Sequence, residues 1–212
     1  MAVVIVDYNA GNLGSVQRAC RQVGMEAEIT ASPEAVVAAD RVIFPGVGAA
    51  TSAVDTLRER GLDEALIRFY ESGKPLLGIC LGSQIVMDHT EEGDKDCLGL
   101  IKGVVRRFEF SGNESADNRL KVPHMGWNEV HIVQPHPLFK SISSGDEFYF
   151  VHSYYACPVN ENEIYGITDY GTNFCSALGK DNLFATQFHM EKSGRFGLSI
   201  LAEFSTWDGS SS

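Results

Sequence analysis

The sequence has few of the cysteine arrangements that build structure. Its five cysteines (Cys20, Cys80, Cys97, Cys157 and Cys175) are odd in number and include no CxxC pair. A disulfide framework needs paired cysteines and a structural zinc needs clustered Cys and His, so reduced thiols, a cytoplasmic setting and no metal site are expected. The opening run Met1-Ala2-Val3-Val4-Ile5-Val6-Asp7 lacks a basic n-region and is short for a signal segment; it reads as a buried first strand. No apolar run approaches the roughly 20 residues that span a bilayer. Basic residues are also scarce. Lys and Arg number 17 against 28 Asp and Glu, a formal charge of −11, which repels phosphate backbones and anionic lipid. No nucleic-acid or membrane partner is therefore expected. Repeats and linkers are lacking too, so one domain is expected over residues 1–207, with a frayed tail at 208–212.

What is present belongs to a globular chain, with 44% hydrophobic and 21% charged residues. The first half alternates strand and helix. Strands are predicted at Val3–Val6, Ala27–Thr30, Val42–Phe44 and Leu76–Ile79. Helices are predicted at Leu13–Val23, after Ser32-Pro33, and over Ser52–Glu71 with a break near Gly61. Continuous apolar strands between helices imply an α/β domain with a mostly parallel central sheet covered on both faces. The second half adds strands at Ile101–Phe110, Val130–Val133, Glu147–His152, Glu163–Asp169 and Leu183–Phe188, then a closing helix at Ser193–Phe204. Function in such a sheet sits at the carboxyl ends of the strands. The loops Asp7–Asn12, Pro45–Gly48 and Cys80–Gly82 fall there.

Gly78-Ile79-Cys80-Leu81-Gly82 carries the most chemistry. A cysteine flanked by glycines at −2 and +2, between a strand and a helix, has the pattern of a nucleophile elbow with Cys in place of Ser. The tight turn demands neighbours without side chains, and the helix predicted over Ser83–Met87 would aim its first N–H groups at the sulfur. A buried core cysteine beside turn glycines is the structural alternative.

A cysteine nucleophile needs a base, and the base an orienting group. His189 and Glu191, two apart after the apolar run Leu183–Thr186, project to one side if extended. His152 is the second candidate base, and His131 and His136 are assigned to a solvated edge or loop. Pro45-Gly46-Val47-Gly48 reads either as a phosphate cradle or as a loop of backbone N–H donors for a developing oxyanion; the second fits an elbow nucleophile better.

Gly78-Ile79-Cys80-Leu81-Gly82-Ser83-Gln84 together with Gln187-Phe188-His189-Met190-Glu191-Lys192-Ser193 resembles the class I (triad) glutamine amidotransferases. Asp7-Tyr8-Asn9-Ala10-Gly11-Asn12-Leu13, Pro45–Gly48, Val122-Pro123-His124-Met125-Gly126-Trp127-Asn128 and Phe150-Val151-His152-Ser153-Tyr154 narrow the resemblance. They point to the branch serving histidine biosynthesis, and the likeness runs from Val3 to about Phe204. The resemblance implies a flavodoxin-like fold, glutamine as substrate and no cofactor. It implies Cys80 as nucleophile, His189 as base, Glu191 as its orienting group, and an oxyanion hole at Val47, Gly48 and Leu81. Gly48, Gln84, Ser153 and Tyr154 match glutamine-holding positions. Pro123, Met125, Trp127, Tyr149 and Lys192 match the face turned to the cyclase subunit of imidazole glycerol phosphate synthase, a separate (β/α)₈ barrel. Most members carry Pro between the His and the Glu, where this chain has Met190, and Ser83 replaces the usual Met after the elbow.

Other readings are a sugar-amidating amidotransferase, a lone cysteine hydrolase, or a binding module with a decayed site. Trp127 itself reads as an interface anchor or as a core plug.

Overall fold

The computed structural model describes residues 1–9, 11–110 and 120–210. Ala10 and the last two residues of the expected tail, Ser211 and Ser212, lie outside them. Within the described part of that tail, the Trp207 indole donates to the Ser210 carbonyl at 2.6 Å.

The first half runs β1 (Val3–Val6), α1 (Leu13–Gln22), β2 (Ala27–Thr30), α2 (Pro33–Ala38), β3 (Arg41–Gly46), α3 (Ala50–Glu59), α4 (Leu62–Glu71), β4 (Leu76–Cys80) and α5 (Leu81–Ile85). The local reasons are those of the sequence. The Ser32 hydroxyl accepts from Ala35 N at 3.2 Å with Pro33 in the first helical turn. Val16, Ala19 and Cys20 form the buried stripe of α1, and Gly61 separates α3 from α4. Strands β1 and β4 are buried on both faces.

The second half holds β5 (Met87–Thr90), β6 (Lys95–Asp96), β7 (Ile101–Arg107), β8 (His124–Ile132), β9 (Asp146–His152), β10 (Tyr154–Pro158), β11 (Ile164–Asp169), β12 (Asn173–Lys180), β13 (Leu183–Thr186) and α6 (Gly194–Thr206). The main sheet has nine strands in the order β2-β1-β3-β4-β13-β12-β11-β8-β9. Its first five strands pair in parallel, and only β12 and β8 run against the rest. The 2-1-3-4-13 half has the flavodoxin-like order. The core lies on both faces of this sheet: α1 and α6 pack on one, α2, α3 and α4 on the other.

A second, four-stranded sheet in the order β10-β7-β5-β6 is absent from the sequence reading, as is β12. It also corrects the helix predicted over Ser83–Met87. Helix α5 stops at Ile85 and Met87 opens β5, because other segments claim its carbonyls. Leu98 N donates to Ile85 O at 2.9 Å, and Leu100 N and Ile101 N both donate to Val86 O at 3.0 Å. Pro45 and Gly46, read as loop, extend β3. At β3's end, the carboxyl ends of β1, β3, β4, β13 and β9 meet along one edge.

Candidate active site

Cys80 sits at the end of β4 with φ 52° and ψ −104°, a left-handed-side conformation that a cysteine holds only when its surroundings fix it. Both elbow glycines are required by space. A Cβ on Gly82 would lie 2.0 Å from Phe44 O, and one on Gly78 would lie 2.8 Å from the Ala185 Cβ. The turn is therefore clamped between β3 and β13, and the sulfur stands at their carboxyl ends. Burial pushes the other thiols up, Cys20 to about 12 and Cys97 to about 11, with Cys157 and Cys175 raised by the same cause. All five cysteines are free.

His189 follows β13 and is 1% exposed. Its Nδ1 lies 2.8 Å from Glu191 Oε1, whose carboxylate can only accept, so Nδ1 carries the proton. Among the described residues Nε2 has no hydrogen-bond partner, which leaves that nitrogen for the sulfur's proton. Burial alone would lower the ring's basicity; Cys80 and Glu191 outweigh it and raise the His189 pKa. Asn12, in the loop after β1, donates its amide to the same Glu191 oxygen. Sequence reasoning quoted Asn12 in a motif without giving it this task.

His152 is unsuited to be the base. Its Nδ1 donates to Tyr154 O at 2.8 Å and its Nε2 faces His124 Nδ1 at 3.0 Å, so both nitrogens are engaged. Burial drives its pKa down to about 3. His136 is corrected: it is 5% exposed and stacks on Phe184 at 4.2 Å, because the core of this layer is aromatic and accepts a neutral ring. His131 is solvent-exposed as expected, but on the inner strand β8 rather than at an edge: it pairs with Ile167 of β11 and lies 3.8 Å from Glu129.

A cavity of about 290 Å³ opens over the sulfur, lined by Val47, Gly48, Cys80, Leu81, Gln84, Glu92, Pro123, Val151, His152, Ser153 and Tyr154. That is the small end of the roughly 300–1,000 Å³ typical of ligand pockets. Every residue expected to hold glutamine lines it, as do the three expected at the oxyanion. Gly48 has φ 105°, which presents its peptide in a way a side chain would oppose. Leu81 is the first residue of α5, where helix geometry leaves the N–H without an internal acceptor. Gln84 Nε2 donates to Tyr154 O at 2.8 Å and to Gln187 Oε1 at 3.1 Å, so its Oε1 is the atom left for a ligand. Glu92 is a lining carboxylate that sequence reasoning missed; it lies in an acidic turn with no motif to mark it, and it caps α3 by accepting from Ala50 N at 2.6 Å.

The five residues expected to face a partner gather on the neighbouring surface. Pro123, just before β8, and Met125 and Trp127 on it alternate outward, with Met125 62% and Trp127 54% exposed. Tyr149 stands opposite Trp127 on β9, and the Lys192 ammonium lies 5.7 Å from its ring centre.

The half-parallel sheet, the cysteine elbow and the His–Glu pair beside it define an α/β protein with the layout of a thiol-dependent acyl-transfer enzyme. Residues 4–206 match the family described as Glutamine amidotransferase class-I. The chain is 47% identical to imidazole glycerol phosphate synthase subunit HisH of Neisseria meningitidis serogroup B, covering 98% of this chain and 100% of that one. It is 48% identical to the subunit of the same name from Maridesulfovibrio salexigens, over 95% of each chain. Among solved structures, one titled crystal structure of glutamine amidotransferase has a TM-score of 0.72 at 18% identity, covering 96% of this chain and 100% of that one. The chain belongs to the class I glutamine amidotransferases, on the branch of the imidazole glycerol phosphate synthase HisH subunits.

Proposed function

We propose that this chain hydrolyses glutamine to glutamate and ammonia and passes the ammonia to a cyclase subunit, which makes imidazole glycerol phosphate and aminoimidazole carboxamide ribotide. The observation carrying this is the Cys80 elbow on the wall of a small cavity, backed by a His189–Glu191 pair. Family membership at 47% identity over nearly the whole length supports the pathway.

The geometry supports the following chemistry. The Cys80 sulfur attacks the δ-carbon of the glutamine side chain as its proton passes to His189 Nε2. The carbonyl oxygen becomes an oxyanion held by N–H groups at Val47, Gly48 and Leu81. Collapse breaks the C–N bond, and His189 returns its proton to the departing nitrogen, releasing ammonia and leaving a thioester. Water, deprotonated by His189, then attacks the thioester; the thiolate leaves and glutamate is freed. Glu191 keeps the ring in the required tautomer and stabilises its cationic form. Gln84 Oε1 and the Glu92 carboxylate suit the α-ammonium, and Gly48, Ser153 and Tyr154 complete the walls.

The partner is a (β/α)₈ cyclase barrel seated on Pro123, Met125, Trp127, Tyr149 and Lys192. Ammonia then moves through that barrel without meeting bulk water. The test is co-purification with a candidate cyclase and measurement of ammonia release with and without the cyclase's nucleotide ligand. Ligand-stimulated, partner-dependent glutaminase activity is the expected result. Equal activity of the isolated chain would favour a lone hydrolase, and pairing with a sugar-amidating barrel would move it to another pathway.

A further inference from the structure

We propose that Gln187 holds the Cys80 sulfur through its side-chain N–H, as a fourth polar group of the site. The proposal rests on Cys80 being the nucleophile. Gln187 is fully buried, its backbone N–H is tied to Ser176 O at 2.9 Å, and its Nε2 lies 3.7 Å from Cys80 Sγ.

The direction in which Gln187 points its amide follows from its neighbours. Carboxamide N and O look alike, so their placement must come from the hydrogen-bond network. Here that network contains two backbone groups whose polarity is fixed, Glu129 N at its outer end and the Tyr154 carbonyl, which orients Gln84 and through it Gln187. At the outer end, Asn128 Oδ1 accepts from Glu129 N at 2.9 Å, which makes its Nδ2 the donor to Asp169 O at 2.9 Å and to His124 Nε2 at 3.3 Å. His124 Nδ1 must then carry the hydrogen that it shares with His152 Nε2 at 3.0 Å. His152 Nδ1 in turn donates to the Tyr154 carbonyl. That carbonyl also takes Gln84 Nε2, and Gln84 Nε2 donates again to Gln187. Gln187 must meet it with Oε1, and so only its N–H faces the sulfur. No member of this chain can be flipped without placing two donors or two acceptors together.

This donor answers a need. The elbow helix that would stabilise a thiolate has only five residues, α5, so its dipole is small. An N–H aimed at sulfur favours the charged form and is stronger to a thiolate than to a thiol. It relaxes while the sulfur is a thioester and re-forms as the thiolate leaves. The titratable groups around the sulfur are His189 after β13, with Glu191 behind it, Tyr8 after β1, His152 at the end of β9, Tyr154 in β10 and Glu92 after β5. Gln187 is uncharged, so its removal alters none of them directly.

The experiment uses the full chain. Gln187→Glu keeps the acceptor for Gln84 and replaces the N–H that meets sulfur; Gln187→Met keeps the volume and removes both groups. Alkylation of Cys80 by iodoacetamide is followed across pH by peptide mass, beside glutaminase kinetics with the cyclase and a thermal melt. In both variants the rate at pH 7 should fall at least about fivefold and the pH midpoint should rise, with kcat lowered more than KM is raised. Folded variants that match the wild-type rate and midpoint would overturn the proposal. A wild-type Cys80 no more reactive than the other four thiols would instead remove the reading it rests on. If neither variant folds, wild-type protein decides: the ¹⁵N-labelled Gln187 amide must shift as Cys80 is alkylated, and an unmoved resonance overturns the proposal.

Discussion

Trp127 and Tyr149 face each other across β8 and β9, their ring centres 6.1 Å apart and their planes at 72°. The edge-to-face contact holds the Trp127 ring upright on an otherwise open surface, without burying it. Of its two sequence readings, the core plug is excluded by its exposure. Trp127→Ala should therefore change the melting temperature of the isolated chain little and weaken cyclase binding or ligand-stimulated glutaminase. A core Trp would cost about 3–5 kcal/mol on truncation. A large stability loss with undiminished complex formation, by calorimetry and titration, would sink the interface assignment.

Cys80→Ala should abolish glutamine hydrolysis, by at least roughly 10³-fold in kcat, while circular dichroism stays that of the wild type. A variant retaining Cys80 alone among the five cysteines should still be labelled by a glutamine-analogue inactivator, read by mass spectrometry.

His189→Ala should cost about as much as Cys80→Ala, and Glu191→Gln distinctly less, because in the proposed mechanism His189 moves the proton and Glu191 only orients the ring. Asn12→Ala should behave as a milder Glu191→Gln, lowering kcat with KM little changed, since it acts through the shared carboxylate oxygen. Steady-state kinetics on the four proteins give the ranking. A larger loss in His152→Ala than in His189→Ala would reverse the assignment of the base.

Burial holds His124 and His136 down to about 4 and His152 to about 3. In the unfolded chain each binds a proton near pH ~6.5. The folded state thus binds fewer protons, and stability is full above pH ~6.5 and lost as pH falls toward the folded values. Each group contributes a slope of roughly 1.4 kcal/mol per pH unit in that window. Urea unfolding between pH 7 and pH 5 measures it. His136→Phe, which keeps the stack on Phe184, should remove one proton from the slope; an unchanged slope would contradict its neutral burial.

Met190 stands where the family resemblance implies Pro. His189 has φ −88° and ψ 103°, an extended conformation that a following proline tolerates, and Met190 opens a short 3₁₀ turn. Met190→Pro should keep kcat within about tenfold of wild type. The cost falls on stability, since the Met190 side chain is fully buried; roughly 1–3 kcal/mol is expected by chemical denaturation. A folded but inactive variant would mean that the Met190 N–H is needed.

The sequence by itself determined the parallel half of the sheet and the place of the cysteine elbow. Those features are local or periodic. Apolar runs of strand length, Ser32-Pro33 opening a helix and Gly–x–Cys–x–Gly at a strand end are written in consecutive residues. Even the glycine requirement was legible, although the atoms that enforce it, Phe44 O and Ala185 Cβ, were not. What only the tertiary structure decided depends on partners distant in sequence. Helix α5 ends at Ile85 because Leu98, Leu100 and Ile101 take the carbonyls of Ile85 and Val86. His136 is interior because Phe184 lies 48 residues away in sequence and 4.2 Å away in space. The acceptor role of Gln84 and the direction of the Gln187 amide come from the backbone carbonyl of Tyr154, which no spacing along the chain connects to them. Hydrogen-bond polarity is settled by whichever fixed donor or carbonyl packs at each end of a network, and packing is a property of the whole fold.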